Sequence, residues 1–552
     1  MRYFCSKDCP DSCIFEAETG GKFKAICNSF DKIPFYCNKL PRYYAREMKD
    51  TGSFYVEGGE KIFAEHKKVA EILGDFLKEN MDKNILFLRG SGSLGYRMGY
   101  WNKLFSNFEN CYFVDDNPCD ETGVLAHVQD FGCCTNPPLE NLKEVDIIFN
   151  FGKNAKVTSP HLYAYLKNIK KEMIYFDPIL SETAPLGDRY VRVEPATDGI
   201  IAALICNELS LCPVNVDKKM MLDVAKMDET FIKLLASKIV YGRTAFITGF
   251  GLQRYKNGKN AVQWINRLAY YTGNIENLYY GRSSKSGLSG ISYEIKNKLK
   301  IHETYEKIKS NFFDIAIVVA SNPCVTYPEA EFLRTFFKGI KLAVVDTNRT
   351  VTSNFADFFI KVGGMFCEED TMGSYFFDLP IRKRGRLEKE FLSDTDVVKI
   401  ISESIGVDLK IKGVGDLEFH LKDLRRVPHL EDIPVLVPQK ESNLRILTVS
   451  HPSYLNSQLS DEIDSPPEIF ISQSDAAKLK LSDGDLVQVA NENGKCFGKI
   501  KVSDKVANGY IMLYKSLEYK GSTQNVLTPC VPTDAGVGVS YYDTFGLVAL
   551  NR

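Results

Sequence analysis

Short, almost unbroken apolar runs recur along the first two thirds of the chain. They are Asn84–Leu88, Val145–Phe149, Met173–Phe176, Ala245–Thr248, Asp314–Ala320 and Leu342–Val345. A strand with one wet face alternates apolar and polar residues, whereas a strand covered on both faces does not. The runs therefore read as buried parallel strands. Between them, Ala64–Leu77 and Ala261–Tyr271 carry apolar residues at helical spacing. Strands and helices in this alternation predict two doubly wound α/β units, with a break near residues 150–180.

Farther on, the texture changes. Asp408–Gln439 is charged and proline-containing and reads as a connector. Beyond Leu444 come short strand-like segments, Arg445–Ser450, Asp485–Ala490, Gly498–Val502 and Tyr510–Tyr514, separated by Gly, Asn and Asp turns. That is the pattern of a small β-barrel. No internal repeat or low-complexity tract interrupts it.

Composition narrows the function classes. At 552 residues the chain is too long for a single core. Its 44% apolar and 25% charged residues are ordinary for a globular protein. A net charge of −2 provides no long-range attraction for nucleic acid or an anionic membrane. No apolar run reaches the roughly 18 residues of a membrane span. The segment Met1–Cys5 has no basic stretch leading into an apolar one, so a cytoplasmic protein is expected. Fifteen cysteines in such a chain, an odd number, point to metal binding, packing or catalysis rather than a disulfide framework.

Three of these cysteines are evenly spaced: Cys5, Cys9 and Cys13, with Cys37 following at a distance. A loop can wrap three corners of an iron–sulfur cubane while a later residue closes the fourth. Zinc and plain core packing are the competing readings, and structural zinc more often uses paired Cys-x₂-Cys knuckles. On spacing alone, Cys27 competes with Cys37 for the fourth place. A second feature is Gly90-Ser91-Gly92-Ser93-Leu94-Gly95, which follows a predicted strand and fits the G-x-G-x-x-G dinucleotide fingerprint, with Asp115 and Asp116 downstream. Taken alone it reads as an NAD loop or as a tight turn. A third is Cys119, just ahead of a helical stretch. Helix N-termini favour thiolates, and a soft ligand suits a thiolate-rich metal site, although a lone cysteine is more often a buried apolar residue.

Together, CSKDCPDSC and Cys37-Asn38-Lys39 resemble the N-terminus of the molybdopterin oxidoreductase family. Asn117-Pro118-Cys119-Asp120-Glu121-Thr122-Gly123 resembles that family's metal-ligand segment. The resemblance implies that Cys5, Cys9, Cys13 and Cys37 hold one [4Fe–4S] cluster and that Cys119 ligates molybdenum or tungsten. Two molybdopterin guanine dinucleotides would carry the metal, and Lys39 would lie between cluster and pterin. The Gly90 and Gly92 loop would then approach the pterin cofactor. Weaker matches continue along the chain. They comprise Gly152 and Asn154, Asp177 and Pro178, the loop at Asp198, Gly249 and Gly251, Asn322 and Pro323, and His451 and Asn525. Each is taken as a dinucleotide contact on the strength of order and spacing.

The implied architecture has four parts. These are an iron–sulfur domain over 1–60, a first α/β domain over 61–150 completed by about 340–435, a second over 151–339, and a six-stranded type of barrel over 440–552. The implied activity is two-electron oxidation or reduction of a small molecule, with electrons passing by way of Lys39 and the cluster to a ferredoxin-like partner. One departure counts against formate: formate dehydrogenases of the family place His after the metal ligand, and here Asp120 stands there, either relaying protons or capping the helix. His127 reads as helix packing. Asp8 sits where a hydratase relative carries a working aspartate, so non-redox hydration or hydroxyl transfer is one alternative. A metal-free scaffold and a nicotinamide dehydrogenase are the others.

Overall fold

The computed structural model describes residues 2–27, 33–282, 291–374, 382–417, 425–438, 443–460 and 463–551. Its largest sheet has eight strands, of which six run parallel in the order Asn297–Leu299, Cys111–Val114, Ile85–Arg89, Ile315–Val319, Lys341–Asp346 and Phe358–Lys361. The hairpin Ser53–Glu57 and Glu60–Ala64 extends it antiparallel. Central strands such as Ile315–Val319 are buried along their whole length, which explains their unbroken apolar sequence. The strand Ile315–Val319, expected with the second unit, is hydrogen-bonded in this first sheet instead, as is the unexpected strand Asn297–Leu299. Five in-register residues tie Ile315–Val319 to Ile85–Arg89, a pairing that no local pattern announces.

The second sheet has five parallel strands in the order Arg189–Val191, Glu172–Phe176, Ile147–Phe151, Thr244–Thr248 and Leu278–Tyr279. Helix Asp198–Glu208 is buried at every position from Asp198 to Cys206, so it packs as an interior helix with no wet face. A Cβ on Gly199 would stand 2.6 Å from the Ala261 Cα, so glycine permits the close crossing of helix Gly258–Tyr271. The expected helix Ala64–Leu77 begins later, at His66–Glu79, because Ala64 ends the preceding strand.

Residues 444–550 form a closed six-stranded barrel ordered Leu444–Val449, Tyr510–Tyr514, Glu468–Ile471, Gly494–Val502, Leu486–Asn491 and Phe545–Leu550. Closure removes exposed sheet edges. The N-terminal cysteines are carried by a three-stranded antiparallel sheet of Arg2–Phe4, Ile14–Glu18 and Lys22–Ala25. In the expected connector, residues 418–424 and Gln439 lie outside the described residues; its described part holds one short 3₁₀ turn, Val414–Asp416.

Candidate functional site

Both parallel sheets reverse their strand order at one place. In the first sheet this happens at Ile85–Arg89, flanked by Cys111–Val114 and Ile315–Val319; in the second, at Ile147–Phe151, flanked by Glu172–Phe176 and Thr244–Thr248. Loops leaving the carboxyl ends diverge at such switch points, and ligands bind in the crevice between them. Gly90 and Gly92 occupy the first crevice. A Cβ on either would stand 2.4 or 2.7 Å from the Ala320 carbonyl oxygen, so only glycine lets the two loops meet. In the second crevice a Cβ on Gly249 would stand 2.4 Å from the Gly152 oxygen. Gly152 itself has φ +66, a left-handed conformation suited to glycine.

The cysteine loop bridges the two crevices. Leu94 donates its N–H to the Ser6 carbonyl (2.7 Å), and the Ser6 and Ser93 hydroxyls are 3.1 Å apart. On the other side, Asp11 accepts the His161 N–H at 2.8 Å, at the start of helix Pro160–Ile169, and the Cys9 thiol points at the Thr158 carbonyl. Asp8 faces the barrel as well as the first loop, accepting from Ser91 at 3.0 Å and from Asn456 at 3.2 Å.

Cys5, Cys9, Cys13 and Cys37 face one another. Burial pushes the Cys5 thiol up to about 12, and the nearby Cys37 adds to the rise. Burial raises Cys9 and Cys13 most, with Asp11 the next contributor at Cys9 and Cys37 the next at Cys13. Cys27, the competitor for the fourth place, is exposed and bridges to Pro34. Among the described residues, no three His, Cys, Asp or Glu side chains converge tightly enough to chelate one ion. Cys5 and Cys13 are buried, Cys9 and Cys37 are half-buried, and Cys37 acts on each of the other three; such an all-sulfur donor set is the kind that an iron–sulfur cluster uses. Lys39 is buried, and its Nζ donates to the Pro452 carbonyl at 2.8 Å, beside His451. His451 packs between Tyr454 and Tyr514, and burial, then Lys39 and Arg42, lower its pKa to about 4.

A cavity of about 410 Å³ opens at the carboxyl ends of the first sheet and is roofed by barrel residues. Gly90, Gly92, Cys119, Asp120, Asn322 and Asn525 all line it. Cys119 precedes helix Glu121–Phe131, and its N–H donates to Asn117 Oδ1 at 2.9 Å. Arg254 Nη2 lies 2.8 Å from the Cys119 sulfur. Burial opposes the Arg254 charge, but Cys119 and the Tyr542 and Tyr541 hydroxyls outweigh it and hold the guanidinium protonated. Asp120 occupies the N-cap position without a side-chain cap bond, and both its oxygens face Arg282 Nη1 at 3.3 Å. Burial raises the Asp120 pKa, Arg282 opposes that rise, and Asp8 adds to it. His127 is 1% exposed and packs against Tyr280, as expected of a core residue.

The remaining expected contacts gather at the second crevice. Asn154 donates to Glu182 at 2.7 Å and accepts from Thr183 at 2.9 Å. Asp177 accepts the Ile179 N–H and the Tyr175 hydroxyl, with Pro178 between. Burial raises Asp177 and Asp198 each to about 7. Gly251 opens the 3₁₀ turn that leads to Arg254. Pro323 begins a short helix after Asn322, whose Oδ1 accepts from Thr352 at 2.8 Å.

Other residues come to the cavity without a sequence signal: Lys7, Arg254, Arg282, Asp346, Lys515 and Gln524. The Arg254 Nε and the Gln524 Nε2 are buried donors with no partner among the described residues. Unpaired donors in a roofed cavity are costly unless a polar group fills it, which suits a phosphate-bearing cofactor. No described helix is long and apolar enough to cross a membrane.

Known proteins agree with this geometry. The chain is 23% identical to "Probable oxidoreductase YyaE" of Bacillus subtilis (strain 168), over 99% of both chains. It is 21% identical to the F420-dependent formate dehydrogenase subunit alpha of Methanocaldococcus jannaschii, over 72% of this chain and 75% of that one. In fold it is similar to acetylene hydratase from Pelobacter acetylenicus, with a TM-score of 0.78 at 11% identity and full coverage of both chains. The molydopterin dinucleotide binding domain model matches residues 444–545, which include five of the six barrel strands. With both switch points, the roofed cavity and a match to the molybdopterin oxidoreductase model over residues 67–360, more than half of its length, the chain belongs to the molybdopterin oxidoreductase family.

Proposed function

We propose that the protein is a cytoplasmic molybdenum- or tungsten-dependent oxidoreductase that oxidises or reduces a small molecule in two-electron steps beside Cys119. Electrons would pass through a [4Fe–4S] cluster held by Cys5, Cys9, Cys13 and Cys37. The observation that carries this reading is the placement of the cysteine loop. It touches both switch-point loops and reaches the Cys119 cavity through Asp8. A bis-pterin metal centre, when bound, supplies the two-electron chemistry. The chain's own residues would hold and orient it. Cys119 is the metal ligand, Arg254 fixes its sulfur, and Gly90 and Gly92 leave backbone room at the first crevice. Lys39 and His451 stand between the cysteine loop and the barrel.

With no flavin or nicotinamide unit proposed, electrons would come from or go to a separate ferredoxin-like carrier. A second reading, hydration without net electron flow, is favoured by one feature: two carboxylates, Asp8 and Asp120, line the cavity with Cys119. A buried carboxylic acid can deliver a proton. The two readings separate in one experiment. The anaerobic holoprotein is given substrates of each class with a viologen dye as electron carrier, then acetylene with no carrier, then NADH. Dye-dependent turnover supports the oxidoreductase reading. Carrier-free acetylene turnover replaces it with the hydratase, and NADH-dependent reduction by the lone chain sinks the proposed external carrier.

A further inference from the structure

Helix Lys39–Glu47 starts two residues after Cys37, and the Leu40 N–H bonds to the Cys37 carbonyl at 3.2 Å. One turn on, Tyr43 points into the interior and is 2% exposed. Its ring packs in the same apolar group as Cys5 and Cys13. Lys7, from the cysteine loop, lies 5.1 Å from the ring centroid and pairs with Glu47 of the same helix. Lys7 also donates to the Gly92 carbonyl at 3.3 Å, so Tyr43 lies beside the link from cysteine loop to first crevice. The Tyr43 hydroxyl is buried and has no hydrogen-bond partner among the described residues. A buried hydroxyl left unsatisfied costs about 1–3 kcal/mol, so an unpaired one signals a missing acceptor. After burial, the groups that act on it most strongly are the thiols of Cys5, Cys37 and Cys9.

We infer that the Tyr43 hydroxyl donates a hydrogen bond to a sulfur of the iron–sulfur cluster and thereby positions and tunes it. The inference rests on the proposed cluster. A donor to cluster sulfur stabilises the more negative, reduced state and so raises the reduction potential. Tyr43 would act through the cluster rather than touch substrate. The Lys7 cation over its ring holds the phenol in place and, because a phenylalanine keeps that contact, lets the hydroxyl be removed alone.

The control is Tyr3. Its hydroxyl is also buried and unpaired, in the same apolar group, but its charged neighbours are Arg384 and Glu388. Iron is counted first in the anaerobically purified full chain, then the cluster is titrated potentiometrically and followed by EPR. In Tyr43→Phe the potential should fall, so that at the wild-type midpoint the ratio of reduced to oxidised cluster drops about tenfold, equal to about 59 mV for one electron. ENDOR should show an exchangeable proton coupled to the cluster that disappears in Tyr43→Phe. Tyr3→Phe should leave both readouts unchanged. Four irons per Tyr43→Phe chain with an unchanged potential and proton coupling would overturn the inference. Equal shifts in both variants would also overturn it, since packing would then be the cause. Wild-type chain without iron would instead overturn the cluster itself.

Discussion

The two switch points share their strand order and their tight glycine contacts, yet they feed the cavity differently: the first supplies Gly90 and Gly92, and the second supplies Phe250 and Arg254. At the first, the barrel roofs the carboxyl ends of the strands while leaving about 410 Å³ free beside Cys119. At the second, side chains bond one another: Asn154 bonds Glu182, Glu182 pairs with Lys505, and Tyr175 bonds Asp177. The charge differs as well. Lys7, Arg254 and Lys515 line the cavity, whereas Asp177 and Asp198 lie at the second crevice, away from its lining. Strand order makes a potential ligand crevice; the parts laid over it set the charge that the crevice presents.

The largest expected effect is at the cavity. Cys119→Ala should lower turnover about a thousandfold, or about 4 kcal/mol in the barrier, while iron content is unchanged. Loss of iron in that variant would tie the two centres together and break the comparison. Next comes pH dependence at the second crevice. In the folded chain Asp177 and Asp198 hold protons up to about 7, far above an unfolded aspartate near 3.9. Their neutral forms therefore add stability that is complete below about 4 and is lost as pH rises through about 7. Asp198→Asn removes the ionisation penalty and should stabilise the cofactor-free chain by on the order of 3 kcal/mol at pH 8, with little change at pH 4, measured by urea unfolding.

Glycine substitutions sharpen the contrast. Gly90→Ala and Gly249→Ala each place a methyl 2.4 Å from a carbonyl oxygen. Each should cost about 2 kcal/mol in thermal unfolding. Gly90 lines the cavity, so its variant should also lower bound molybdenum or tungsten. The smallest effect belongs to Arg254→Lys, which keeps the charge but loses the forked contact to Cys119. About a tenfold fall in turnover or metal affinity is expected there.

Much of this organisation was legible in the sequence because burial writes itself locally. The run Asp314–Ala320 contains the strand Ile315–Val319, and Tyr510–Tyr514 matches the observed strand. Cys119, Gly90 and Asn322 reach one cavity as their order along the chain implied. What the sequence hid depends on distant convergence. Asn297–Leu299 is too short and polar to announce a strand, and Cys111–Val114 alone gives it a parallel edge to join. Arg254 and Lys515 are ordinary basic residues until a 3₁₀ turn and a barrel loop bring both to the cavity that Cys119 lines. Tyr43 sits in an amphipathic helix like any core tyrosine, and only its unpaired hydroxyl distinguishes it.

Metal analysis of the chain purified without oxygen decides whether Cys119 holds a heavy metal beside an iron–sulfur cluster. About four irons and one molybdenum or tungsten per wild-type chain are expected, with the heavy metal's X-ray absorption spectrum losing one sulfur neighbour in Cys119→Ala. Zinc in place of iron, or a heavy-metal spectrum unchanged by Cys119→Ala, would contradict that assignment.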